Sequence, residues 1–291
     1  MKDLHVVEVR VAHTWGRPDG TLREAPEWEA FREAGVYEPV KGALTYGAVR
    51  MEQSELAENP VDDVTLLSSR ISKEVAKGSA GGKKVMMIGG NCACVPGMFG
   101  GLQQGLGATT RIGLVWVDAH GDFNTPYTTP GGILGGMPVA VIAGLCHAGW
   151  RNEAGIEAPL PTDRILMVGV RKIYPGEDHL VNASDITVVP IVGPELGEAV
   201  DELAAKTDML YLHVDLDILD PSLIPAHMAQ EPEGPDVAQT IAALERVFDT
   251  GKVGAFALVS LYATRPGGDE SIAVAIEMLR PCLERWVETT T

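Results

Sequence analysis

At 291 residues and 45% apolar content, the chain is long enough to bury one large core or two smaller ones. Its formal net charge of −17 argues against nucleic acid and anionic membrane surfaces as partners, because both are held through basic patches. Aromatic residues make up only 5% and glycine supplies 33 residues, so the core must be mainly aliphatic and the turns tight, as in helices packed on a parallel sheet.

The spacing predicts a first strand over 5–11 and a loop over 13–20. Residues 21–55 are charged and weakly periodic and read as peripheral. Val61, Val64, Leu67, Ile71 and Val75 recur at helical spacing, with Gly78 as a stop. A strand over 84–88 runs into Gly89-Gly90-Asn91-Cys92 and then an Ala-, Gly- and Met-rich helix to about residue 105. A strand over 112–117 precedes a Thr-, Pro- and Gly-rich loop at 124–132 and a helix over 137–145. Strands follow at 165–170 and 186–189, a helix at 195–205, a strand at 209–214, a helix at 237–248, a last strand at 253–261 and a closing helix that includes 272–279.

Short continuous apolar strands alternating with helices imply a parallel α/β sheet covered on both faces. No linker, repeat or low-complexity segment divides the chain, so a single domain over 1–291 is expected. Cys92, Cys94, Cys146 and Cys282 form no small-domain disulfide framework, which points to a reducing cytoplasm. No hydrophobic signal core opens the sequence, and no apolar run approaches the roughly 20 residues that cross a bilayer.

Two strands end in acid clusters. Val115-Trp116-Val117 is followed by Asp118, His120 and Asp122, and Leu212-His213-Val214 by Asp215 and Asp217. Ligands bind at the carboxyl ends of strands in such sheets. Carboxylates packed there repel one another and lose hydration, and a divalent cation removes both costs. The alternative for each cluster alone is solvated strand-end charge. Their joint occurrence favours a two-metal site, with Asp215 and Asp217 on one side of a strand. Asp220-Pro221 reads as a turn or cap. Mixed oxygen and imidazole donors suit Mn, Fe or Zn. Nucleotide binding finds little support, since Gly89-Gly90 begins no G-x-G-x-x-G pattern.

Asp118-Ala119-His120-Gly121-Asp122, followed by Asn124-Thr125-Pro126, resembles the arginase branch of the ureohydrolase family. His213-Val214-Asp215-Leu216-Asp217-Ile218-Leu219-Asp220-Pro221 is similar to that family's second metal motif, with His213 where Ser is usual. Arg171 and Pro175-Gly176-Glu177 also match, and the resemblance runs along nearly the whole chain. It implies a three-layer α/β/α fold with a mostly parallel central sheet, a small-molecule substrate, a trimer or hexamer, and a centre of two divalent ions, usually Mn2+. By position, Asp118 and Asp215 bridge both ions, Asp122 and Cys92 complete one, and His120 and Asp217 the other. A water activated between the ions attacks an sp² carbon bearing nitrogen, with Asp122 as the catalytic residue that hydrogen-bonds it.

The departures from the family concern recognition. Cys92 stands at a His ligand position, where sulfur would shift preference from Mn toward Fe or Zn; the other reading of Cys92 is a small buried hydrophobe. Cys94 reads as structural. Ser260 stands where guanidine-cleaving relatives carry Glu, a loss worth roughly 3 kcal/mol or more for a buried ion pair. Gly135 replaces a proton-shuttling His, for which His213 and His227 are the nearby substitutes, each weighed against a structural role. Asn124 and Glu177 keep the clamp for the substrate's amino-acid end, whereas Gly131, Ile133 and Tyr174 alter it and Lys172 adds charge beside it.

The expectation is therefore a metal-dependent amidinohydrolase cleaving a non-peptide C–N bond of a small linear amidine or guanidine less basic than L-arginine, with Nω-hydroxyarginine as the named candidate. A neutral ureido or amide substrate and a non-catalytic scaffold are the alternatives.

Overall fold

Ten strands and nine helices form among residues 3–12 and 22–289, the part of the chain that this computed structural model describes. The loop expected over 13–20 lies outside the described residues. The strands are β1 (Leu4–Val9), β2 (Val11–Ala12), β3 (Arg23–Glu24), β4 (Leu44–Val49), β5 (Lys84–Ile88), β6 (Ile112–Val117), β7 (Ile165–Val168), β8 (Thr187–Val189), β9 (Met209–Asp215) and β10 (Val253–Val259). The helices are α1 (Glu27–Glu33), α2 (Pro60–Ala80), α3 (Val95–Leu106), α4 (Pro138–Ile142), α5 (Ala148–Glu153), α6 (Pro175–Asn182), α7 (Pro194–Lys206), α8 (Val237–Phe248) and α9 (Gly268–Glu288).

Eight strands make one sheet in the order β4-β1-β5-β10-β9-β6-β7-β8, and every neighbouring pair in it is parallel. β2 and β3 form a small antiparallel pair. The central strands are apolar on both faces because helices cover both. Val7, Met87, Leu114 and Ala257 face the layer that holds α2 and α3, while Val6, Met86, Val115 and Phe256 face α8 and α9. Each of these side chains is essentially inaccessible, worth roughly 1.5–3 kcal/mol apiece for the larger ones. Among the described residues no helix is long and apolar enough to cross a membrane.

Several expectations need correction. Residues 21–55 are not merely peripheral: β4 pairs with β1 along the sheet edge, and α1 buries Phe31. The pattern was hidden because an edge strand shows mixed exposure and lacks a continuous apolar run. Gly78 does not stop α2, which continues to Ala80. A Cβ at Gly78 would lie 2.8 Å from the His5 side chain, so this glycine allows the helix to approach β1. The helix expected over 137–145 is only the short α4, and α5 and α6 escaped the periodic reading because they span barely two turns.

A candidate metal centre at the strand ends

The carboxyl ends of β5, β6, β9 and β10 open onto a cavity of ≈ 410 Å³. Cys92, Asp118, His120, Asp122, Asp215 and Asp217 all line it, as do Asn124, Gly135, Tyr174, Glu177 and Ser260. Tyr174 is partly exposed, and a Cβ on Gly135 would meet open space apart from Ile133 at 3.9 Å.

Each donor arrives by a specific turn. After β5, Gly89 and Gly90 take φ of 89° and 70°, conformations that side chains disfavour, and swing the chain into a 3-10 turn that begins at Cys92. Asn91 caps that turn by accepting from the Ala93 amide at 3.1 Å. After β6, Asp118 Oδ1 accepts from the His120 amide at 2.6 Å, which folds the loop back on itself. Asp122 follows with φ of 47°. Glu177 at the start of α6 fixes this loop by accepting from the Phe123 amide at 2.8 Å and the Tyr174 amide at 3.3 Å. It anchors the site's backbone; its carboxylate is therefore less available to a ligand than the sequence suggested. Asn124 accepts from the Thr128 hydroxyl at 3.1 Å.

Asp215 and Asp217 meet differently from expectation. β9 ends at Asp215, and the chain turns at Leu216 into a 3-10 segment that holds Asp217. Strand alternation does not bring them together. Asp215 Oδ1 accepts from the Asp217 amide at 2.9 Å, which tightens the turn. Asp220 caps the next turn by accepting from the Ser222 amide at 3.0 Å, as a turn-or-cap reading requires. Arg171 ties this segment to the cavity rim, donating to the carbonyls of Asp217, Ile218, Leu219, Glu231 and Pro232.

The side chains converge closely. Cys92 Sγ lies 2.9 Å from Asp215 Oδ2 and 3.5 Å from Asp118 Oδ2. His120 Nδ1 is 2.9 Å from Asp217 Oδ2 and 3.5 Å from Asp118 Oδ1. Ser260 Oγ donates to Asp215 Oδ2 at 2.5 Å from a left-handed backbone (φ 63°), which marks the end of β10. Asp122 lines the same wall without a direct bond to the other acids, although its charge acts on Cys92 and Asp118.

Burial first, and then the charges of Asp217 and Asp215, push the Asp118 carboxyl well above its ordinary range. Burial likewise raises Asp122, against the opposing pull of His120. For Asp215 burial is outweighed by the hydrogen bond and charge of His227, whose Nε2 lies 3.2 Å away, and its pKa falls. Burial opposes protonation of His120, but Asp118 and Asp217 override it and raise the ring to about 12. Burial and the neighbouring carboxylates hold the Cys92 thiol far above its usual value. Burial lowers His213 to about 3, so this ring is neutral.

This donor set fits divalent cations. Ligand-capable atoms of Asp118, His120 and Asp217 lie within 4.8 Å of one another, as do those of Asp215, Asp217 and His227, and those of Cys92, Asp118 and His213. All but His120 are buried. Buried acids with raised pKa values release protons when a cation replaces them. Sequence reasoning left His227 and Glu231 out of its site residues. Both line the cavity, with Glu231 Oε1 3.5 Å from His120 Nε2. His227 had a signal in its position just beyond Asp220-Pro221; Glu231 had none, because its loop reaches the site only in three dimensions.

A parallel α/β sheet with acid clusters at adjacent strand ends defines the class of α/β proteins with a metal-binding site at the strand ends. The profile of the arginase family matches residues 19–283, and the chain belongs to that family of metal-dependent amidinohydrolases. The chain is 33% identical over 172 residues to the N(omega)-hydroxy-L-arginine amidinohydrolase of Streptomyces lavendulae, an alignment covering 59% of this chain and only 60% of that protein. It is 24% identical over 249 residues to the arginase of Bacillus subtilis, covering 83% and 82% of the two chains. Its fold matches the arginase of Bacillus caldovelox with a TM-score of 0.84 over 98% of each chain, at 23% identity.

Proposed function

We propose that this chain is a binuclear amidinohydrolase for a linear guanidine-type compound less basic than L-arginine, with Nω-hydroxyarginine as the leading candidate. Cys92, Asp118, Asp122 and Asp215 would hold one cation, and Asp118, His120, Asp215 and Asp217 the other. When bound, the cations supply Lewis acidity to a water molecule and to the reacting C–N group. Sulfur from Cys92 would bias the first position toward Fe or Zn relative to Mn.

Ser260 carries the substrate assignment. Its hydroxyl proton is committed to Asp215, so Oγ offers lone pairs to the cavity. It accepts one hydrogen bond from a substrate N–H or O–H, but it cannot neutralise a guanidinium as a carboxylate would. A hydroxyguanidine suits this wall, because its N-hydroxyl lowers basicity and adds a donor. The relative in Streptomyces lavendulae, named for Nω-hydroxyarginine, supports the same choice. Asn124, the Tyr174 rim and the Glu177-anchored loop bind and orient the amino-acid end. Asp122 accepts a proton from the attacking water, and the walls formed by Tyr262 and His227 exclude bulk solvent from the reacting atoms.

The test is a comparison of Nω-hydroxyarginine with L-arginine and a ureido analogue, using protein loaded with Mn, Fe or Zn and assayed for about two ions per chain. The hydroxyguanidine should lead in kcat/KM by at least about tenfold, equal to about 1.4 kcal/mol. Equal turnover of arginine, or preference for the ureido compound, would overturn the assignment.

A further inference from the structure

β9 carries Tyr211, His213 and Asp215 on the sheet face that leads to the site. His213 is fully buried, and its ring stacks on Trp116 of β6 with 4.1 Å between centroids and 4° between planes. Its two nitrogens face different partners. Nδ1 lies 3.1 Å from the Tyr211 hydroxyl, and Nε2 lies 3.8 Å from Cys92 Sγ. Tyr211 is also fully buried, and among the described residues His213 is the hydrogen-bonding partner of its hydroxyl. A buried hydroxyl proton needs an acceptor, so it goes to Nδ1. With Nδ1 accepting, the ring's N–H lies on Nε2, aimed at the sulfur. That tautomer leaves no lone pair on Nε2 for a cation and makes His213 a donor toward Cys92.

We propose that His213 is the positioning residue of Cys92: its Nε2–H donates to the sulfur and holds it against Asp118 and Asp215, while Tyr211 fixes the tautomer and Trp116 fixes the ring plane. The proposal rests on the reading of Cys92 as a ligand. A cysteine side chain has one rotatable bond before its sulfur, and a turn about it would carry Sγ out of reach of Asp215. A directed N–H selects the inward rotamer and withdraws charge from the sulfur. Outer partners of this kind orient ligands and tune the metal they hold. The same face thus works in series, with Trp116 and Tyr211 setting a ring, the ring setting a sulfur, and the sulfur facing the two carboxylates.

Cobalt(II) reads this directly, because a cobalt–thiolate pair has a charge-transfer band in the near ultraviolet. Wild-type protein loaded with Co2+ should show the band, and Cys92→Ser should lose it. A wild type without the band would sink the reading of Cys92 as a ligand, and this proposal with it. With the band present, His213→Phe isolates the proposal, since it keeps an aromatic ring on Trp116 and removes the N–H. The band should move to lower energy, and one of two cobalt ions should bind about 10- to 100-fold more weakly. His213→Gln, which places an amide N–H near Nε2, should recover part of both changes. A folded His213→Phe with an unchanged band and unchanged affinities would overturn the proposal. Should His213→Phe not fold, Tyr211→Phe frees the tautomer, and an unchanged band there overturns it equally.

Discussion

Two parts of the sheet bury carboxylates, and they neutralise them in different ways. Glu8, fully buried in β1, takes Arg10 Nη2 at 2.5 Å on one oxygen and Arg32 Nη2 at 2.6 Å on the other. Both guanidiniums also lie over the Trp28 ring, at 3.5 Å for Arg10 and 5.1 Å for Arg32. At the ends of β6 and β9, four aspartates share a cavity wall with two histidines and a thiol. The nearby guanidinium of Arg171 spends its donors on backbone carbonyls. At Glu8 the sequence provides the buried acid with its own cations. At the strand ends it provides an excess of acid, which has little structural use and is the arrangement a divalent cation requires.

That contrast breaks most sharply at Asp118. Asp118→Asn should lower turnover by about 10³-fold or more, the several kcal/mol that a metal-ligand carboxylate supports. The metal-free protein should unfold no more easily than wild type, since the penalty that burial and the neighbouring acids place on ionising Asp118 has gone. A matched loss of metal-free stability in urea would mean that Asp118 is structural. Glu8→Gln should behave inversely. Unfolding free energy should fall by about 3 kcal/mol as Arg10 and Arg32 lose their anion, with kcat/KM retained; lost activity in folded protein would erase the distinction.

Chelation is the next test in size. Free metal at a hundredfold over Kd stabilises the native state by about 2.7 kcal/mol per site, so a chelator should lower Tm in wild type and much less in Asp118→Asn. Arg171→Met removes the ties between the Asp217 segment and the Glu231 rim and should raise KM about tenfold with a smaller change in kcat. An unchanged KM would show that the rim holds without it.

The smallest effect is expected at Glu27 of α1. Its Oε1 accepts from the Ala263 amide at 3.1 Å, while Oε2 has no hydrogen-bond partner among the described residues. Burial raises its pKa above the ordinary glutamate value. A carboxyl whose folded pKa is raised binds more protons when folded, so its contribution falls as pH rises from the ordinary value through the raised one. Glu27→Gln should match wild type near pH 4 and exceed it at pH 8 by on the order of 1 kcal/mol. Parallel pH curves would show that Glu27 is solvated or paired in solution.

Much of this was legible in the chain, for identifiable reasons. β5, β6, β9 and β10 are short, largely apolar runs, as buried strands are, and Asp118, His120, Asp122, Asp215 and Asp217 stand at the ends of two of them. β4 was not legible, because an edge strand exposes one side and carries a mixed pattern. The structural duty of Glu177 was missed because its amide partners, Phe123 and Tyr174, come from separate loops. Glu231 lacked any local signal; Arg171, about sixty residues earlier, brings its loop to the cavity rim.

The sequence by itself determined that two apolar strands end in acids, that sulfur stands among the donors at Cys92, and that no carboxylate stands at Ser260. These are properties of residue type and order along neighbouring strands. Only the tertiary structure decided what each donor touches: that Asp215 gathers Cys92, Ser260 and His227, and that His213 faces both Tyr211 and Cys92. The physical reason is reach. A hydrogen bond requires two atoms within about 3 Å, or somewhat more when one is sulfur, and partners more than a hundred residues apart acquire that distance only when the sheet sets β5, β10, β9 and β6 side by side.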